Sequence, residues 1–276
     1  MYPDVIYIGA PRAGSTWIWE NLSQHPDTWT LPYKSVEYLN DKASLRRRKN
    51  FKINKEEIFK SKSLKSHLWD LHYFFYPFTN DHWYQRLFKS GTDKIKIDIA
   101  PSCIRRSPER IISIHNRMPN ARLLLALRNP VERTWSHAMQ HFIRNKKRKL
   151  EDISHDELMI FFEQPNQYKN GCYAEILERW ESTYPSDQIY VYFFEDILTR
   201  PDWLLQEICA FLGLEHKPEY FDHTLRKAGN YTGVREISED VESYLYKKFE
   251  EPIRTAQQRF KGYTDQWLIN LENRTK

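Results

Sequence analysis

Cysteine is scarce in this 276-residue chain: Cys103, Cys172 and Cys209 are an odd number at no ligand-like spacing. That pattern argues against a disulfide framework and against a zinc site. Glycine is also sparse, at 8 residues, while aromatic residues make up 15%, a balance that excludes disordered, collagen-like and low-complexity chains. No apolar run approaches the roughly 18 to 20 residues that span a bilayer. Met1 to Ala10 lacks a basic segment followed by an apolar one, so it reads as a strand entering the fold rather than a leader. Nor is one sign of charge abundant: 42 Lys+Arg against 37 Asp+Glu leave a formal charge of +5. Such a charge suits an anionic ligand and is too weak to argue for nucleic acid. A cytoplasmic protein with no membrane span, no nucleic-acid partner and no metal is the expectation.

What is present is an alternation of strands and helices. Val5 to Ile8 is a short apolar run stopped at Gly9, followed by a loop and a helix from Thr16 to Leu22. Ile95 to Ile99 alternates as a strand does. Ala121 to Leu127 is the strongest strand, followed by Arg128-Asn129-Pro130 and a helix through Phe142. Ala174 to Tyr184 reads as an amphipathic helix, Gln188 to Phe194 as a buried strand, and Trp203 to Leu212 as a helix closed by Gly213. This order predicts an α/β fold, a central mostly parallel sheet flanked by helices, as one domain over 1–276. A basic and aromatic insertion is expected around 41–90. In such sheets ligands collect beyond the carboxyl ends of strands, which directs attention to the loops after Ile8 and Leu127. The basic stretches 41–66 and 144–150 read as solvated loops or as a rim for an anionic substrate.

Gly9-Ala10-Pro11-Arg12-Ala13-Gly14-Ser15-Thr16 has the G-x-x-x-x-G spacing of a phosphate-binding loop between strand and helix. The lysine that follows the second glycine in nucleoside-triphosphate loops is missing, and Ser15 stands there instead. Arg12 is the loop's cation. Arg128 at a strand end and Ser136 in the next helix can grip a second phosphate from two directions. Two anion sites on strand ends of one sheet imply a ligand with two separated phosphate-like groups.

On these residues the chain resembles the sulfotransferases that use 3′-phosphoadenosine 5′-phosphosulfate (PAPS). Pro11 to Trp17 is similar to their 5′-phosphosulfate loop and Arg128 to Ser136 to their 3′-phosphate motif. Gly171-Cys172-Tyr173 with Trp180, Tyr192 to Ile197 and Phe211 to Leu214 extend the likeness to about residue 215. The resemblance implies a P-loop-like sulfotransferase fold, transfer of a sulfuryl group to a hydroxyl or amine, PAPS as cofactor with its desulfated product PAP, and no metal. It implies Arg12 on the phosphosulfate, with Ala13, Gly14, Ser15, Thr16 and Trp17 lining the same group. It also implies Arg128 and Ser136 on the 3′-phosphate, Tyr173 near the cofactor, and Arg226, Lys227 and Gly229 in a loop closing over it.

The general base is not fixed by the motifs. Lys34 to Asn40 aligns with a segment that carries a Glu in members acting on heparan-type sugars, but that position holds Ser35; on a strand, Glu37 would share its face. Lys65-Ser66-His67-Leu68 reproduces the string that carries a His in cytosolic phenol and steroid sulfotransferases, which makes His67 a second candidate and His72 a lesser one. At the end of the strand 95–99 the family's Lys-Thr pair is replaced by Ile99-Ala100, which removes one expected cation. The aromatic segment Leu68 to Tyr84 reads as a pocket for a phenolic small molecule or as a hydrophobic sub-core; the basic runs point to a glycan acceptor. Two readings of other classes remain: a P-loop nucleotide kinase, and a non-catalytic module binding anions or nucleic acid.

Overall fold

In a computed structural model of the chain, residues 1–58, 64–222 and 237–274 are described. Five strands, β1 (Val5–Gly9), β2 (Thr28–Thr30), β3 (Ile95–Ile99), β4 (Arg122–Leu127) and β5 (Ile189–Phe193), form one sheet in the order β2-β3-β1-β4-β5. Every neighbouring pair is parallel. Composition explains the order. The sequence of β1 is VIYIG, buried throughout, and that of β4 is RLLLAL, buried after its first residue; such continuous apolar strands suit a sheet covered on both faces. The edges are a three-residue β2 and a half-exposed β5, and short edges limit unwanted pairing.

The helices α1 (Ser15–Leu22), α2 (Ala43–Ile58), α3 (Leu64–Phe75), α4 (Asp81–Leu87), α5 (Pro108–Arg117), α6 (Pro130–Met139), α7 (His155–Phe162), α8 (Pro165–Lys169), α9 (Tyr173–Glu181), α10 (Phe194–Thr199) and α11 (Pro201–Leu212) follow in chain order. Three more, Glu239–Lys248, Glu250–Arg259 and Tyr263–Arg274, close the described chain, the first packing on α6 and the second on α9. The α/β class and the parallel sheet expected from the alternation are therefore present.

One expectation needs correction, one strand goes beyond what the pattern shows, and one open alternative is decided. The stretch 41–66 is not a solvated loop over 43–58 but a helix, because Lys and Arg are good helix formers even without an apolar stripe. The short strand β2 has too little pattern to be read in advance. Of the two readings of the aromatic segment 68–84, packing favours the sub-core: Trp69, Tyr73, Phe74, Trp83 and Tyr84 are buried, Trp69, Trp83 and Tyr33 stack on Tyr73, Phe74 meets Tyr33 and Tyr73 edge-on, and Tyr84 stacks on Tyr38.

Strand register brings three loops to one edge. Tyr7 pairs with Ile99 and Gly9 with Leu125, the Ala10 N–H donates to the Ala126 carbonyl at 2.9 Å, and the Ala100 N–H donates to the Tyr7 carbonyl at 2.9 Å. The loops after β1, β3 and β4 thus open side by side at the carboxyl edge, the expected ligand edge of a parallel sheet.

Candidate active site

The loop after β1 is shaped by Gly14, which has φ 88° and where a Cβ would stand 2.2 Å from Ile197 Cδ1 on α10. Only glycine meets both demands at once. Gly14 is also the N-cap of α1, no side chain caps that end and no acidic residue lies in its first turn. Its N–H groups and the positive end of the helix dipole therefore remain for an anion. Ala13 and Trp17 are buried, so they serve the loop through its backbone and through the core respectively. Ser15 is nearly buried at the first helical position, and Thr16 is half-exposed beside it.

Helix α6 is started by Asn129, whose side chain accepts from the Val131 N–H at 3.0 Å, with Pro130 at its first position. That start fixes Arg128 before the helix and Ser136 within it. The Arg12 guanidinium donates to Ser136 Oγ twice, at 3.1 and 2.9 Å, and Arg128 Nη1 donates to the Arg12 carbonyl at 3.0 Å. The two predicted motifs, more than a hundred residues apart in sequence, are one bonded unit. Arg128 further lies 4.2 Å over the Phe194 ring and pairs with Glu132 at 3.4 Å.

Tyr173 stands behind Arg128. Its ring is fully buried and its hydroxyl donates to the Arg128 carbonyl at 2.7 Å. It holds the backbone of Arg128 and presents no surface to a ligand. Arg226, Lys227 and Gly229 lie outside the described residues.

Two cations here escaped the sequence reading. Lys34 Nζ donates to Thr16 Oγ1 at 2.5 Å, and the Lys34 carbonyl accepts from Arg46 Nη2 at 3.0 Å. Arg133 is wholly buried, donating to Thr134 Oγ1 at 2.7 Å and to the Gln167 carbonyl at 2.8 Å. No signal in the sequence singles out either side chain, although Arg133 lies within the Arg128 to Ser136 motif and Lys34 opens the segment that carries Glu37. Burial, with Arg128, Arg144 and Arg133 nearby, holds Arg12 down at about 10. Burial and the charges of Arg12, Arg46 and Arg144 bring Lys34 down to about 7, with Glu20 opposing. The cluster is cations pressed together, and such a cluster gains most from an anionic ligand.

Glu37 stands on the other side of this segment. Ser35 and Glu37 both have φ 59°, so 35–37 is a left-handed turn and not the strand on which they would share a face. Glu37 Oε2 accepts from Asn40 Nδ2 at 2.7 Å, and Oε1 accepts from Ser102 Oγ at 3.5 Å in the loop after β3. Behind it, burial pushes the Asp98 carboxyl up to about 7; the 2.6 Å hydrogen bond from Tyr84 opposes this and the Glu37 charge adds to it. His67 is half-buried on α3, a helix that packs on α2 and α4, and its ring makes none of the loop's contacts given above. His72 is bonded to the Trp83 carbonyl at 3.0 Å, as part of the aromatic sub-core. A polar cleft formed by Tyr38, Asp41, Thr79, Arg110 and Arg117 includes none of the loop residues, and its Arg110 and Asp41 pair with each other.

The donor set fits a ligand with two anionic groups. Arg128 Nε and both Arg133 Nε and Nη1 are buried with no hydrogen-bond partner among the described residues, and Arg12 and Lys34 have no ion pair there. Also among the described residues, no cluster of His, Cys, Asp and Glu could hold a metal ion, and no helix is long and apolar enough to cross a membrane.

Comparison with known proteins bears on the family and the fold. The profile described as "Sulfotransferase family" matches residues 3–218. A sulfotransferase from Alicyclobacillus acidocaldarius has a similar solved structure, with a TM-score of 0.65 and 20% identity over 97% of this chain and 99% of that one. The sulfotransferase domain from the curacin biosynthetic pathway follows with a TM-score of 0.58 and 16% identity over 94% and 97% of the two chains. Among curated proteins, the membrane-associated sulfotransferase kil1 of Dictyostelium discoideum is 29% identical over 81 residues, a stretch covering 29% of this chain and only 16% of that relative.

Proposed function

Because this chain belongs to the Sulfotransferase family and is a sulfotransferase enzyme, we propose that it moves a sulfuryl group from PAPS to a hydroxyl acceptor. The observation that carries this reading is the bonded unit of Arg12, Ser136 and Arg128, with the buried and unpartnered Arg128 Nε. In this reading PAPS, when bound, would supply an activated sulfuryl group, with 3′,5′-ADP as the leaving group. The N–H groups at the start of α1, Ser15, Thr16 and Arg12 hold the 5′ end, where negative charge grows. Arg128 and Ser136 hold the 3′-phosphate, with Tyr173 fixing the Arg128 backbone. Arg12 hydrogen-bonds Ser136 and so ties one end to the other.

Glu37 takes the proton of the acceptor. It is the carboxylate that lies three residues from Lys34 and contacts the loop after β3, next to the phosphate loop. With the aromatic segment consumed by the core, support for a stacked phenol is withdrawn. An alkyl hydroxyl, as on a sugar, needs such a base more than a phenol does, so a glycan acceptor is the reading we favour. The kinase alternative lacks its loop lysine, and the binding-module alternative gives no role to a linked pair of anion sites.

Calorimetric titration with 3′,5′-ADP and, in parallel, 5′-AMP without Mg²⁺ tests the cofactor. Tight binding of the first and weak binding of the second is expected. Equal affinities would remove the 3′-phosphate assignment, and with it the reason for PAPS.

A further inference from the structure

Lys34 belongs to neither phosphate motif, yet its ammonium reaches the phosphate loop. Its Nζ stands 2.5 Å from Thr16 Oγ1, at the open end of α1, and its own carbonyl is pinned by Arg46 from α2. Among the described residues no carboxylate is within ion-pair distance of it, and the charged groups acting on it are Arg12, Arg46 and Arg144, with Glu20 opposing. The loop after β3, which flanks the same edge, begins with Ala100 and brings no cation to this point before Arg105. A half-buried ammonium held by one neutral hydroxyl amid three guanidinium groups is poorly compensated, and an anion is the partner that would compensate it.

Resting on the PAPS reading above, we propose that Lys34 is the second cation of the 5′ site: its ammonium passes from the Thr16 hydroxyl to the oxygens of the bound 5′ group, opposite Arg12. The division of labour follows from chemistry. Arg12 is a planar fork already engaged with Ser136, whereas an ammonium on a four-carbon stem is a compact, rotatable point charge. A point charge can follow the negative charge as it moves onto the phosphate oxygen, while the fork keeps the two ends of the ligand in register.

The proposal has a consequence that needs no turnover. The crowding that lowers the basicity of Lys34 in the free protein is relieved by a bound anion, so binding must protonate it. At pH 8, a lysine that titrates near 7 alone and near its ordinary value of about 10.4 when paired takes up about 0.9 proton per ligand bound. Arg12 stays charged at that pH and the phosphates of 3′,5′-ADP are fully ionised, so neither adds to the uptake.

The experiment is calorimetric titration of the whole protein with 3′,5′-ADP at pH 8 in two buffers of different ionisation enthalpy, on the natural protein, Lys34→Arg and Lys34→Met. Uptake near one proton in the natural protein, and near zero in Lys34→Arg while it still binds, supports the assignment. Lys34→Met should lose uptake too, and bind about tenfold or more weakly. In acceptor assays, Lys34→Met should lower kcat by more than it lowers affinity for 3′,5′-ADP, and Lys34→Arg should recover part of the loss. Binding without uptake in the natural protein, or equal uptake in Lys34→Arg, overturns the proposal. No binding of 3′,5′-ADP by the natural protein overturns the PAPS reading itself, a separate result.

Discussion

Two walls meet at the carboxyl edge of the sheet, and they are electrostatic opposites. On the side of β1 and β4 stand Arg12, Lys34, Arg128 and Arg133, and burial makes Arg12, Lys34 and Arg133 easier to discharge. On the flank of β3 stand Glu37, Ser102 and Asp98, where burial pushes Asp98 the other way, toward keeping its proton. Neither wall neutralises the other by an ion pair among the described residues. On the function proposed above, the difference teaches how a transfer site can be divided, with one wall to receive anionic charge and the other to receive a proton. Had the two sets been interleaved, their salt bridges would have satisfied both and left little for a ligand.

The division can be broken from either side. Arg128→Ala should have the largest effect, because it removes the guanidinium that the proposed function assigns to the 3′-phosphate. Loss of about 3–4 kcal/mol is expected, roughly 100- to 1,000-fold in affinity for 3′,5′-ADP by calorimetry. Unchanged affinity would mean that this wall does not bind the 3′-phosphate. On the other wall, Glu37→Gln keeps shape and hydrogen-bonding capacity but cannot accept a proton. Turnover should drop about 100-fold or more, with affinity for 3′,5′-ADP within about twofold. A parallel loss of nucleotide affinity would show that the walls are not separate.

The cation wall was legible in the sequence because its two motifs are local: the glycine spacing of 9–14 and the Arg128 to Ser136 interval each lie within one strand-to-helix turn. The central strands were legible for the same reason, as continuous apolar runs. Lys34 was not, since its role depends on a turn that folds 33–37 back onto Thr16, and nothing in its neighbours' periodicity marks that. Arg133 sits on α6 in a motif already read, but its burial is decided by α8, through the Gln167 carbonyl. The aromatic segment stayed open between two readings, because ring density is the same for a pocket and for a core, and only packing separates them. Glu37 was singled out on a wrong premise, a strand that is a left-handed turn.

A smaller effect tests the depth of the carboxylate wall. Asp98 is 1% exposed, with Oδ2 on the Tyr84 hydroxyl and Oδ1 buried without a partner. Its folded value, about 7, is above the unfolded value, so the folded state holds the proton more tightly. The stability that this contributes is fully present below about pH 4 and is lost as pH rises through 7. Asp98→Asn does not titrate. Between pH 5 and 7.5 the natural protein should therefore lose about 2–3 kcal/mol relative to the Asn variant, read by urea unfolding at both pH values. A constant difference would mean that Asp98 is ionised in the fold, and the wall would then carry two charges.

The smallest effect is the most discriminating for the base. His67 is on α3, in the layer built by the aromatic sub-core, while Glu37 is on the segment that touches both Thr16, through Lys34, and the loop after β3. His67→Ala should change kcat by no more than about twofold, the range of substitutions remote from a site. A histidine base would leave a distinct mark: kcat would fall steeply in the variant. That observation would move the proton acceptor from the β3 flank to α3 and dissolve the two-wall division that Glu37 and Asp98 define.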